Sequence, residues 1–63
     1  MPRLLKLHKY IDTEEKVEIY INTDRIEYFY PWDRGRTFIS FIGSGLVVEE
    51  SFDDLYKMLR GDI

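Results

Sequence analysis

Apolar and polar residues alternate through most of this chain, and the alternation breaks at a few polar or glycine-rich points. Across residues 4–10, Leu5, Leu7 and Lys9 oppose Leu4, Lys6, His8 and Tyr10, which predicts a half-buried strand near a sheet edge. Residues 12–16 are polar and read as a loop. Across residues 16–21, Val17, Ile19 and Ile21 point inward while Glu18 and Tyr20 point outward, so the first two strands form a hairpin. Asn22, Thr23 and Asp24 make a turn, because Asn and Asp side chains bond their own backbone and tolerate left-handed conformations. Residues 25–30 resume the strand pattern, with Ile26, Tyr28 and Tyr30 on one face and Arg25, Glu27 and Phe29 on the other. Pro31 ends this strand. Residues 31–35 form an irregular loop in which a proline fixes φ, a glycine reverses direction and Trp32 lies between them.

The next two strands and the helix after them are the most strongly patterned part of the chain. Residues 36–42 and 46–49 are dense in β-branched and aromatic side chains, and Gly43, Ser44 and Gly45 between them predict a short-loop hairpin. In the first of these strands Thr37, Ile39 and Phe41 oppose Phe38, Ser40 and Ile42. Large apolar groups therefore point both ways, the pattern of a central strand covered on both faces. Ser51 is placed to cap a helix, with Asp54 in the position of a capping box and Asp53 beside it at the positive end of the dipole. Phe52, Leu55, Tyr56 and Leu59 share one stripe; Lys57 and Arg60 suit the last turn, and Gly61 stops the helix.

The expected fold class is α+β, mainly β: a five-stranded antiparallel meander or small partly open barrel with one C-terminal helix. A chain of 63 residues makes a single small domain, 1–63, close to the lower limit for a core that holds without a staple. It has no cysteine and one histidine, so disulfides are excluded and a Cys/His zinc site is not expected. A hydrophobic content of 44% is too rich for a disordered chain, and association with further copies is the remaining way to cover a second apolar sheet face. A homo-oligomer is expected.

A net charge of −3 argues against binding nucleic acid or an anionic membrane through bulk charge. Arg3, Lys6 and Lys9 nevertheless make the first ten residues basic. Protection of an edge strand by lysines accounts for them better than docking on an acidic surface does. No apolar run reaches the length of a signal-sequence core or a transmembrane span, so no membrane partner and a cytoplasmic location are expected.

Candidate chemistry is sparse. Glu49, Glu50, Asp53 and Asp54 form a carboxylate cluster, but the spacing matches no calcium loop, and helix N-terminal charges with solvated neighbours explain it. His8 stands near no nucleophile motif and reads as a surface histidine on an edge strand. The glycines at 43 and 45 lack the following Lys and helix of a phosphate loop. No catalytic, metal-binding or cofactor-binding residue is expected. The stronger signal is aromatic: Tyr20, Tyr28, Phe29, Tyr30 and Trp32 exceed what one small core buries. Beside Arg25, Arg34 and Arg36 they have the composition of an interface hot spot. Tyr20, Tyr28, Tyr30, Trp32, Arg34 and Arg36 are the expected protein-interaction residues.

The succession Ile21, Asn22, Ile26, then Thr37 to Phe41, a glycine turn, and Val47, Val48, Glu50 and Ser51 running into Phe52 and Leu55 resembles the small flagellar FlbD-like family. The resemblance covers about two thirds of the chain and marks Asn22, Glu50 and Ser51 as motif positions without assigning them chemistry. It implies a small non-enzymatic protein linked to flagellar motility or its regulation. The expected function is therefore a non-enzymatic oligomeric protein-binding adaptor or regulator. The alternative is a small nucleic-acid-binding regulator with Arg3, Lys6, Lys9, Arg34 and Arg36 on phosphates and aromatic rings stacked on bases.

Overall fold

A computed structural model describes residues 4–13 and 15–61. They form β1 (Leu4–Lys9), β2 (Val17–Asn22), β3 (Ile26–Pro31), β4 (Thr37–Phe41), β5 (Ser44–Val48) and α1 (Phe52–Arg60), with single 3-10 turns at Thr23–Arg25 and Asp33–Gly35. The strands make one open antiparallel sheet in the order β2-β1-β5-β4-β3. The expected class, a mainly β sheet with one C-terminal helix, is what forms. Its strand order is the circular order of a meander cut between β2 and β3, so the successive strands on either side of that cut become the two edges. The first strand is consequently not at an edge: β1 lies between β2 and β5.

Each local element follows from the residues that make it. In the β1–β2 hairpin Leu5 faces Ile21 and Leu7 faces Ile19, so the inward rows of both strands meet. Phe41 pairs with Ser44, which leaves Ile42 and Gly43 as a two-residue turn; Gly43 takes φ 85°, a conformation open to glycine and costly for a side chain. Ser44 and Gly45 therefore belong to β5 and not to the turn. Asn22 caps the first 3-10 turn by accepting the Asp24 N–H at 3.0 Å. Ser51 caps α1 by accepting the Asp54 N–H at 3.1 Å, and Gly61, at φ 83°, ends it with its N–H on the Met58 carbonyl.

The core lies between the inner sheet face and α1. Leu7, Ile21, Ile39, Val48 and Leu55 are buried, with Leu5, Ile19, Ile26, Phe29, Phe41, Leu46, Met58 and Leu59 packed around them. Phe52 meets Phe29 with ring centroids 5.2 Å apart. The helical stripe differs from expectation by one residue: Tyr56 is exposed, and Met58 takes its place against the core. A period of 3.6 allows either flank of Leu55 to face the sheet, and the helix rolls toward Met58.

Two further expectations change. Strict alternation placed Ile26 with Tyr28 and Tyr30, but Ile26 pairs with Phe41 and Tyr28 with Ser40, so Glu27 is an extra residue in a bulge. The bulge resets the face: Ile26 and Phe29 both reach the core, and Tyr28 and Tyr30 point to the outer side. The strand with two apolar faces, β4, is second from an edge, and the central position belongs to β5. Its inner residues are covered by the core. On its outer face Phe38 is covered by rings of its own sheet, Ser40 is buried, and Ile42 sits exposed in the turn.

Nor do the described basic residues of the first segment, Lys6 and Lys9, line an edge. Arg3 lies outside the described residues, Lys9 is exposed at the end of β1, and Lys6 forms an ion pair with Glu18 of β2. The Lys6 ammonium, by hydrogen bond first and by charge second, holds the Glu18 carboxyl below the usual Glu range, while Glu18 raises Lys6. A depressed folded-state value means a contribution present above the ordinary Glu value and lost as pH falls through the lowered one. NMR titration of the Glu18 carboxyl is expected to give a midpoint below that of an unpaired Glu, and Lys6→Gln is expected to move it back up.

Candidate functional site

The bulge at Glu27 determines what the outer face offers. Beyond it, Tyr28, Tyr30 and Trp32 recur at every second residue and share that face, while Phe29 turns inward between them. The Tyr28 and Tyr30 rings lie 6.1 Å apart and stack within 14° of parallel; Tyr30 and Trp32 are 6.0 Å apart. Phe38, opposite Tyr30 on β4, completes the cluster at 5.1 Å from Tyr30 and 5.6 Å from Trp32. Such pairs each contribute about 0.5–1.5 kcal/mol beyond area burial. The rings thus hold one another in place. They are still 56%, 41% and 42% exposed at Tyr28, Tyr30 and Trp32.

Gly45 gives Phe38 its position. A Cβ at residue 45 would lie 2.5 Å from Phe38 Cζ, so the ring rests where only glycine leaves room. Gly45→Ala is expected to displace Phe38 and with it the contacts to Tyr30 and Trp32, at a stability loss of about 1–3 kcal/mol. Ring-proton NMR shifts of Tyr30 and Trp32, together with urea unfolding, check this.

At the far end of the ring row the chain reverses tightly. The Trp32 N–H donates to the Arg36 carbonyl at 2.7 Å and the Arg36 N–H to the Asp33 carbonyl at 3.1 Å. Arg34 takes φ 54° and Gly35 φ 76°, so an arginine occupies a left-handed position that costs a side chain about 1–2 kcal/mol. Arg34 is exposed at this tip. Arg36 is committed internally: its Nε donates to Glu49 Oε1 at 2.9 Å, its Nη1 lies 3.7 Å from Asp33, and its guanidinium stacks 3.8 Å from the Tyr10 ring centroid. The hydrogen bond to Glu49 raises its pKa further, so it stays charged.

Of the expected interaction residues, Tyr28, Tyr30 and Trp32 come together, Arg34 borders them, and Arg36 anchors the loop behind them. Tyr20 stands apart, on β2 at the other edge and opposite Lys6. Phe38 joins the cluster although it was not among the expected residues. Its place on the outward row of its strand was the signal, and what was missing was the register that sets it against Tyr30.

The carboxylate cluster separates. Glu49 pairs with Arg36, and Glu50 accepts both the His8 N–H at 2.9 Å and the His8 ring, Nδ1 to Oε2, at 2.7 Å. The Thr37 hydroxyl donates to the Glu50 carbonyl at 2.9 Å. Only Asp53 and Asp54 are exposed helix N-terminal charges. His8 thus lies on an interior strand and not on an edge, and its part-exposed ring is half of a couple that fastens β1 to the segment after β5. Among the described residues the surface forms no pocket, and no helix is long and apolar enough to cross a membrane. Comparison with family models, with curated proteins and with solved structures gives no match.

Proposed function

We propose that this chain is a small non-enzymatic protein-binding module, an oligomeric adaptor or regulator of the cytoplasm, that makes its contacts through the ring face of β3 and β4. The observation that carries the reading is the row Tyr28, Tyr30 and Trp32, backed by Phe38 and left roughly half exposed. Aromatic side chains are rigid and lose little entropy on burial, which makes them the usual anchors of protein interfaces. A face on which the described residues form no pocket suits a macromolecule better than a small ligand. The resemblance to the flagellar family supports motility as the setting. The same rings could stack on single-stranded bases, but of the two arginines in the loop beside them Arg36 is already engaged by Glu49 and Asp33, which leaves Arg34 alone for phosphate.

The test is affinity capture from cell extract with the tagged chain and with Tyr30→Ala/Trp32→Ala, followed by identification of bound proteins. A partner held by the first and lost by the second supports the reading; identical partner sets refute it. Titration with mixed oligonucleotides at low and physiological salt separates the alternative, which requires a salt-dependent signal.

A further inference from the structure

The ring face sits on an edge strand, so a partner has two ways to approach it: beside the strand or over the face. The backbone decides against the first. Trp32 bonds to Arg36, so in the alternating antiparallel ladder Tyr30 and Tyr28 also turn their N–H and carbonyl groups toward β4. Phe29 and Pro31 face the free edge. Pro31 has no N–H to offer there, and the bulge at Glu27 interrupts the edge on the other side. Phe29 alone presents both a donor and an acceptor in regular geometry, too little for strand addition. The apolar area lies on the face instead.

We infer that this face is occupied by a second copy of the chain, packed face to face about a two-fold axis so that the β3 strands of the two copies run antiparallel across the ring row. The inference rests on reading the ring face as a protein-binding surface. Charge argues for a second copy in particular. The ring row itself carries no charge. At its Trp32 end Arg34 and Arg36 stand against Asp33 and against Glu49, which is paired to Arg36; at its Tyr28 end Asp24 of the turn and Glu27 of the bulge stand against Arg25. Arg36 is held by Glu49 and Asp33, which leaves Arg34 as the exposed cation of its end. A two-fold axis through the rings sets the exposed Arg34 of each copy over the acidic end of the other, so the surface is complementary to itself. Area agrees. Three aromatic side chains of this size, about half exposed, offer roughly 300 Å² of ring surface. That amount forms the apolar centre of an interface of about 800 Å² per partner.

Light scattering across a dilution series, on the full chain and on three variants whose secondary structure is first checked by circular dichroism, tests this. The chain itself is expected to pass from dimer to monomer on dilution. Tyr28→Lys places a charge in the ring row at its most exposed ring, and is expected to give a monomer throughout. Arg34→Glu is expected to raise the dimer dissociation constant at least about tenfold, since a two-fold axis counts each substitution twice. Arg34→Glu combined with Glu27→Arg restores the complementarity and is expected to recover most of that loss. A chain that stays monomeric at every concentration overturns the inference, while the capture experiment still decides whether the face binds another protein. A dimer indifferent to Tyr28→Lys, or a charge exchange that recovers nothing, overturns it as well.

Discussion

Leu55→Ala is expected to leave much of the chain unfolded at room temperature. Leu55 is fully buried and is the one helical side chain among the five buried apolar residues of the core, so it joins α1 to the sheet. Leu→Ala in a packed core costs about 2–5 kcal/mol, from lost transfer energy and from the cavity left behind. A chain of 63 residues has a stability of about 3–9 kcal/mol on a per-residue scale. The substitution therefore removes a large share of the total. Urea unfolding followed by circular dichroism measures the loss. The adjacent Tyr56→Ala is the control: Tyr56 is 42% exposed, and its replacement is expected to cost under about 1 kcal/mol. Equal losses at the two positions would contradict the orientation of the helix described above.

The second large effect is expected at Glu50. Its side chain is only 13% exposed, and its two oxygens take the backbone N–H and the ring of His8, which lies 42 residues earlier. Glu50→Ala leaves a part-buried backbone donor unmatched and cuts the side-chain tie between β1 and the end of β5, a loss of about 2–3 kcal/mol. Glu50→Gln keeps a carbonyl oxygen for the His8 N–H and is expected to lose less than half as much. Thermal unfolding of the two variants in parallel separates removal of the charge from removal of the acceptor. If Gln and Ala are equally destabilising, the backbone bond contributes little and the ring contact is the element that matters.

How far the sequence could be read depended on how local each feature is. The β4–β5 hairpin, the Asn22 turn, the Ser51 cap and the Gly61 stop are decided within a few residues, and each was legible. Tyr28 and Tyr30 were legible as neighbours on one face, and Trp32 only as part of the aromatic composition, in a loop. The position of β1 was not, because nothing near Leu7 announces that its other neighbour is a strand some forty residues later. The Glu27 bulge was hidden for a different reason: an extra residue in a strand leaves no mark in a period-2 pattern until the opposite register is known. The same missing register concealed Phe38 as a member of the ring cluster and Arg36 as its internal anchor. Tyr20, equally aromatic and equally outward in pattern, went to the other edge once the order of strands was set.

The β1–β5 junction has a consequence for how this molecule loosens. Where the other strand pairs match over five or six positions, this one matches at Lys9 and Val48, reinforced by backbone bonds from Tyr10 to Val47 and from Glu49 to His8. It is also the strand pairing farthest apart along the chain, so its closure costs more entropy than that of any other strand pair. Thermal fluctuation therefore meets a natural parting line, with the first hairpin on one side and β3, β4, β5 and α1 on the other. Amides of Ile19 and Ile21 are expected to exchange with solvent through openings that leave Ile39 protected, which hydrogen-exchange NMR checks. The aromatic row lies wholly on the more persistent side, so a partner docked there can stay bound while the first hairpin breathes.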